Sequence, residues 1–190
     1  AVEEAEARVA ALAGELREAR RVAAPPFADA VAVELRGIGL GEGEFHVELS
    51  DREPSAIGMD TATFLIRPNP GLPFAPVAET ASGGELSRIA LAIAAAAGGK
   101  MTLVFDEIDA GIGGETAHSV ARTLRRLGER SQVLTITHLP QIASVADRHL
   151  RVEKVPGDPT HTRIEALSED ERREELERML GGREFLSTVR

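Results

Sequence analysis

The sequence predicts an α/β protein: a mostly parallel sheet covered by helices, preceded by one long helix of coiled-coil character. Two observations carry this. From Ser82 onward, helical stretches alternate with short apolar strands, the pattern of a parallel, covered sheet. Before that, Val2, Ala5, Val9, Leu12, Leu16, Ala19 and Ala23 repeat at spacings of 3 and 4, which is a heptad seam. Composition agrees, with 43% hydrophobic and 28% charged residues over 190 positions, enough to bury a core in one domain plus an appendage. A disordered chain is thereby excluded.

The first helix spans Ala1–Ala24, and the Pro25-Pro26 pair is expected to stop it. An amphipathic helix packed on its own domain would show a similar stripe. Because Glu, Ala and Arg fill almost all the remaining positions, a coiled coil with a partner helix is the better reading. A short helix over Ala28–Leu35, ending near Gly37, comes next. Glu44–Leu49 and Thr61–Ile66 read as strands joined by a loop holding Pro54 and Gly58, and their alternation implies one wet face. Arg67–Thr80 holds four prolines and one glycine and reads as a connecting loop. Then follow an apolar helix to Ala97, a buried strand Met101–Phe105, a helix Thr116–Leu127 and a buried strand Gln132–Ile136. Val152 and Ile164 mark two further strands across a Pro156–Pro159 turn. Ser168 and Glu171 form a capping box for a helix running to Leu180 and stopping at Gly181.

Charge and residue usage narrow the function classes. The net charge is −9, from 31 acids and 22 bases, so no strongly basic nucleic-acid surface shows at the level of the whole chain. Trp and Tyr are absent, which argues against a stacking platform for single strands. Without Cys there is no disulfide, thiolate metal site or cysteine nucleophile. No apolar run approaches the roughly 20 residues of a membrane helix, so a cytoplasmic location without membrane contact is expected.

Three segments could carry chemistry. Ser82-Gly83-Gly84-Glu85 opens a helix. On its own this is a well-capped helix start, but its two glycines also leave backbone N–H groups open to an anion at the positive end of the helix dipole. The strand ending in Phe105 delivers Asp106 and Glu107 to the sheet's C-terminal edge, where adjacent acids suit Mg²⁺ and a water-activating base. A strand running into an acidic turn would look the same. The strand Val133–Thr137 ends in His138 at that edge. Alone, each segment has a bland structural reading.

In this order and spacing, however, the segments resemble the ATP-binding-cassette superfamily. Ser82–Glu85 is similar to its signature motif, Phe105-Asp106-Glu107 to Walker B, Asp109 to the D-loop and His138 to the switch histidine. The stretches Ala-Ser-Gly-Gly-Glu-Leu-Ser-Arg (81–88), Phe-Asp-Glu-Ile-Asp-Ala-Gly-Ile-Gly-Gly (105–114) and Thr-His-Leu-Pro-Gln-Ile-Ala (137–143) resemble the bacterial RecN family of DNA repair proteins, relatives of the SMC ATPases. So do Ala-Asp-Arg-His (146–149) and Met-Leu-Gly-Gly (179–182).

The resemblance implies a P-loop NTPase head of the ABC/SMC type, with residues 1–24 ending a coiled-coil arm and 25–190 forming the C-terminal lobe. It implies ATP and Mg²⁺ as cofactors. Asp106 would hold the metal, and Glu107 and His138 would be catalytic. Ser82, Gly83, Gly84, Glu85 and Asp109 would bind nucleotide held by an opposed head. Its implied partners are the N-terminal half of the same head, a second head in an ATP-dependent homodimer, an antiparallel coiled-coil helix and DNA, at the nucleoid. No Gly-x-x-x-x-Gly-Lys-Ser/Thr loop occurs, since Gly99-Lys100 runs into Met101 and lacks the upstream glycine. A Q-loop glutamine is not evident either. The chain is thus expected to be the C-terminal portion of a larger protein and inactive alone. A transporter subunit would carry Gln at position 85 and no heptad helix. A non-hydrolysing structural module would not require both Glu107 and His138. Arg88 is expected to be solvent-exposed, and the Glu169–Glu177 charge run to be a solvated helix face.

Overall fold

The computed structural model describes residues 2–41, 43–67 and 69–182. Ala1 of the predicted first helix, Pro68 of the predicted loop and the last eight residues of the predicted lobe lie outside the described residues. The chain divides into two compact units, Ala1–Gly99 and Lys100–Arg190.

In the first unit, helix α1 (Val2–Gly37) is continuous, with Pro25 and Pro26 inside it. The predicted stop at the proline pair is therefore corrected, and the predicted second short helix is the last part of α1. Two prolines remove the N–H groups that would reach the carbonyls of Arg21 and Val22, a cost of about 3 kcal/mol or more per interior proline. Those residues and both prolines are exposed, so water can satisfy the freed carbonyls. The helix is also anchored on each side of the pair. Upstream, Arg20 Nη1 binds Asp60 Oδ1 at 2.7 Å and Arg20 Nη2 donates to the Ile57 carbonyl at 3.0 Å. Downstream, Ala28, Val31 and Leu35 are buried at helical spacing, each of the two larger side chains contributing about 1.5–3 kcal/mol. Phe27 packs against the Phe45–Phe64 pair, with ring centroids 6.5 and 6.2 Å away.

The anchor for Arg20 is a hairpin. Strands β1 (Glu44–Ser55) and β2 (Gly58–Arg67) pair antiparallel, with Phe45 opposite Ile66 and Val47 opposite Phe64. Both are longer than predicted. The expected loop shrinks to a two-residue turn, with Pro54 lying where the register shifts between Asp51 and Ser55. Gly58 has φ +106, and a Cβ there would meet Leu16 Cδ2 at 3.0 Å and Arg20 Nη1 at 3.3 Å, so glycine lets α1 close onto the turn. The predicted Arg67–Thr80 loop contains a short strand β3 (Ala75–Pro76) on β2 and a single helical turn α2 (Val77–Thr80). Helix α3 (Gly83–Ala97) packs on α1, and its Ile89, Leu91 and Ala92 are buried.

The second unit holds the parallel pair. Strands β4 (Thr102–Phe105) and β5 (Gln132–Thr135) run in parallel with Phe105 opposite Thr135, joined through helix α4 (Gly114–Gly128). The buried face of α4, from Ala117 and Val120 to Leu124 and Leu127, forms the core with Phe105, Ile108 and Ile142. Helix α5 (Pro140–Ala143) had no predicted counterpart. Strands β6 (Leu150–Val155) and β7 (His161–Ala166) form an antiparallel hairpin with Val152 opposite Ile164. Helix α6 (Glu169–Met179) starts on its predicted box.

Two expectations are corrected by burial. The strands β4 and β5 are not fully buried: Val104 is 67% and its partner Leu134 43% exposed, because among the described residues one face of this two-stranded ladder lacks a cover. Among the described residues parallel pairing is confined to this ladder, and the other ladders are antiparallel. Glu175, within the run read as a solvated face, is buried and held by Arg178 through bonds of 2.6 and 2.9 Å.

Candidate functional site

At the start of α3, Ser82 is the N-cap, with φ −68° and ψ 166°. Its backbone N–H donates to Glu85 Oε2 at 2.8 Å, one arm of a capping box. This N–H bond, then the Ser82 hydroxyl, hold the Glu85 carboxyl below the usual glutamate range against the opposing pull of burial. The predicted anion-facing residues separate here. Ser82 and Gly83 are exposed, Gly84 is buried and Glu85 is half-buried with its carboxylate turned back on the cap. Arg88, expected at the surface, is 5% exposed. One turn beyond Gly84, it lies on the face that α3 buries with Ile89, Ala92 and Leu91, and this burial lowers its pKa.

In the second unit, β4 and β5 end at the same edge, since Ile136 N–H donates to the Phe105 carbonyl at 3.0 Å. Asp106 and Glu107 emerge from β4, both exposed. Glu107 has φ +55°, the positive-φ residue other than glycine among the described residues. A side chain in this left-handed region costs about 1–2 kcal/mol, and such strain persists where surrounding bonds impose it. Here Glu107 N–H donates to Asp106 Oδ1 at 2.9 Å and the Glu107 carbonyl accepts from Ala110 at 3.0 Å. The turn aims an exposed carboxylate out from the sheet edge.

Asp109, at the end of that turn, is 5% exposed. Its Oδ2 accepts the Thr137 hydroxyl at 2.5 Å and the His138 N–H at 2.8 Å, and lies 2.9 Å from His138 Nδ1. Burial pushes its pKa up, but these hydrogen bonds and the neighbouring imidazole outweigh burial and hold the carboxyl below the ordinary aspartate value. The expectation that Asp109 reaches nucleotide thus meets a carboxylate already engaged within its own unit. The His138 side chain is 75% exposed, its Nδ1 side facing Asp109. The structure therefore brings together Asp109, Thr137 and His138, with Asp106 and Glu107 at the neighbouring strand end. Ser82 to Glu85 form a separate arrangement in the other unit. Thr137 was missed as a site residue. Its only signal was its place directly before the histidine.

Among curated proteins, the chain is 47% identical over 155 residues to the DNA repair protein RecN of Xylella fastidiosa strain 9a5c, covering 78% of this chain and 28% of that protein. It is 39% identical over 201 aligned positions to RecN of Streptomyces coelicolor, covering 97% of this chain and 35% of that protein. The chain belongs to the RecN family. With RecN of Deinococcus radiodurans it shares 42% identity over 170 residues, 88% of this chain and 30% of that protein. It therefore spans about a third of the length of the RecN proteins it matches. Among solved structures it resembles the Smc head domain with a coiled coil and joint from Pyrococcus yayanosii, at 24% identity and a TM-score of 0.58 over 80% of this chain and 28% of that one. The Smc head domain from Pyrococcus furiosus with an extended coiled coil, bound to the C-terminal domain of ScpA, matches at 22% identity and a TM-score of 0.57, over 81% of this chain and 37% of that one. These likenesses show an SMC-type head fold for this chain. No protein-family model matches it.

The donor set at β4 suits Mg²⁺. Such ions are held by one or two carboxylates together with phosphate and water oxygens, and Asp106 presents one exposed carboxylate at a strand end. Among the described residues no group of three or more His, Asp or Glu forms a rival cation site. No helix of the described residues is long and apolar enough to cross a membrane.

Proposed function

We propose that this chain is the C-terminal lobe of a RecN ATPase head that, joined by an N-terminal half supplying a phosphate loop, binds and hydrolyses ATP between two opposed heads in recombinational repair of DNA double-strand breaks. The observation that carries the reading is the strand edge: Asp106-Glu107 and His138 leave paired parallel strands side by side, with Glu107 in a strained, outward-facing turn. Two further faces support it. The outer apolar side chains of α1, Val2, Val9 and Leu12, are more than half exposed, as a seam awaiting an antiparallel partner helix would be. The bare face of β4 and β5 at Val104 and Leu134 fits a cover supplied by the other half of the head. The same reading puts the intact protein in the cytoplasm, at the nucleoid, with DNA as a partner.

In this reading Asp106 holds Mg²⁺, which would neutralise charge on the phosphates. Glu107 orients and deprotonates the attacking water, and the His138 ring faces the γ-phosphate. Ser82 and the N–H groups of Gly83 and Gly84 close on the γ-phosphate of ATP held by the opposed head, where the helix dipole favours an anion. Glu107→Gln keeps side-chain size and hydrogen-bonding capacity while removing the base. In the protein carrying both halves of the head, phosphate release should fall about 10²–10⁴-fold, while ATP still drives head pairing on a sizing column. Wild-type turnover in that variant would remove Glu107 from the chemistry.

A further inference from the structure

His138 is an exposed ring whose backbone is already anchored, because Asp109 accepts its N–H and the Thr137 hydroxyl, and Thr137 Oγ1 in turn accepts the Leu139 N–H at 3.0 Å. Those bonds suffice to fix the loop after β5. The additional approach of His138 Nδ1 to Asp109 Oδ2, 2.9 Å, is not needed for packing a ring that is 75% exposed. An ionised carboxylate only accepts hydrogen bonds, so the nitrogen facing it must carry the proton. A neutral imidazole held this way has its lone pair on Nε2, the opposite of the form that free histidine prefers in water.

We infer that Asp109 is a positioning residue that fixes His138 in the Nδ1–H form and turns Nε2 outward as an acceptor. The device resembles the general arrangement in which a buried carboxylate orients a histidine and supports its charge once it takes up a proton. An outward Nε2 accepts a hydrogen bond from water. When the ring gains a proton, Nε2–H becomes a donor suited to a phosphate oxygen while Nδ1–H stays on Asp109. The consequence for turnover rests on the proposed ATPase reading, whereas the protonation form of the ring does not. It also links the turn after β4 to the loop after β5 through one buried carboxylate oxygen, so the two strand ends cannot shift independently.

The test is a long-range ¹H–¹⁵N spectrum of ¹⁵N-histidine-labelled protein without nucleotide at about pH 8, where an ordinary histidine is neutral. Loss of signals in His138→Ala assigns that ring among the five histidines. The expected wild-type pattern is Nδ1–H for His138. Asp109→Ala should move it to the Nε2–H or averaged pattern, and Asp109→Asn, which keeps an acceptor oxygen, should retain Nδ1–H. His46, His118, His149 and His161 report whether the fold is kept. An Nε2–H pattern for His138 in the wild type overturns the inference even if Asp109→Ala fails to fold. So does an unchanged His138 pattern in a folded Asp109→Ala. In the protein with both halves of the head, His138→Ala combined with Asp109→Asn should lower kcat no further than His138→Ala alone. Absence of wild-type turnover would sink the ATPase reading and leave the ring's protonation form standing.

Discussion

Two helices of this chain begin with the same device and meet different fates. Ser82 and Ser168 have nearly the same backbone angles, φ −68° and ψ 166° against φ −67° and ψ 169°. In each, the cap N–H donates to the Oε2 of the glutamate three residues on at 2.8 Å, and the cap carbonyl accepts the first helical bond at 2.8 Å. What differs is the pair of residues between. Gly83 and Gly84 follow Ser82, whereas Glu169 and Asp170 follow Ser168, with side chains 83% and 93% exposed. The second helix thus carries its own anions at the positive end of its dipole, and the first keeps that end bare. A Ser-x-x-Glu box specifies a helix start. The residues inside the box decide whether the start is open to a foreign anion.

Between the two boxes, the largest expected effect comes from exchanging those residues. With Gly83→Glu and Gly84→Asp together, α3 should still be capped, yet ATP-driven head pairing should be lost and turnover should fall about 10²–10³-fold, the scale of losing preorganised donors to a transferring phosphate. Unchanged turnover would show that the Ser82 box is a helix cap and nothing more. A smaller effect separates the two serines. Ser82→Ala and Ser168→Ala should each destabilise by about 1 kcal/mol in chemical denaturation. Only Ser82→Ala should also slow turnover, and equal activity in both variants would break the distinction.

The smallest effect is a pH dependence common to both boxes. The Ser82 N–H holds Glu85 below the usual glutamate range, and the Ser168 hydroxyl does the same for Glu171. A carboxyl depressed in the folded state contributes stability that is fully present above its unfolded pKa of about 4.3 and is lost as pH falls through the lower folded value. Glu85→Gln and Glu171→Gln should therefore each flatten the loss of helical circular dichroism below about pH 4. An unchanged acid limb in either variant would mean that its carboxylate is not engaged in solution.

Much of this was legible because it is local. Both boxes, the helix between the parallel strands, the Val152–Ile164 hairpin and the delivery of Asp106, Glu107 and His138 to strand ends follow from residues within one turn or one strand of each other. Most of what was not legible arises where a partner lies far along the chain. Arg20 meets Asp60 across 40 residues and Thr137 meets Asp109 across 28. Nothing in the spacing of either residue announces its mate.

By itself the sequence determined the α/β class and the main helices and strands, because hydrophobic period, capping and turn chemistry act over a few residues, and its motif stretches carried the kinship to RecN. Only the tertiary structure decided that α1 continues through Pro25 and Pro26. The local penalty is real, but Arg20 on the hairpin and the buried Val31 and Leu35 hold the helix from both sides. It also decided that Arg88 is buried and that Asp109 faces His138. Those outcomes depend on which surfaces meet in three dimensions, and burial energies and long-range hydrogen bonds together overrule the preference of any single residue.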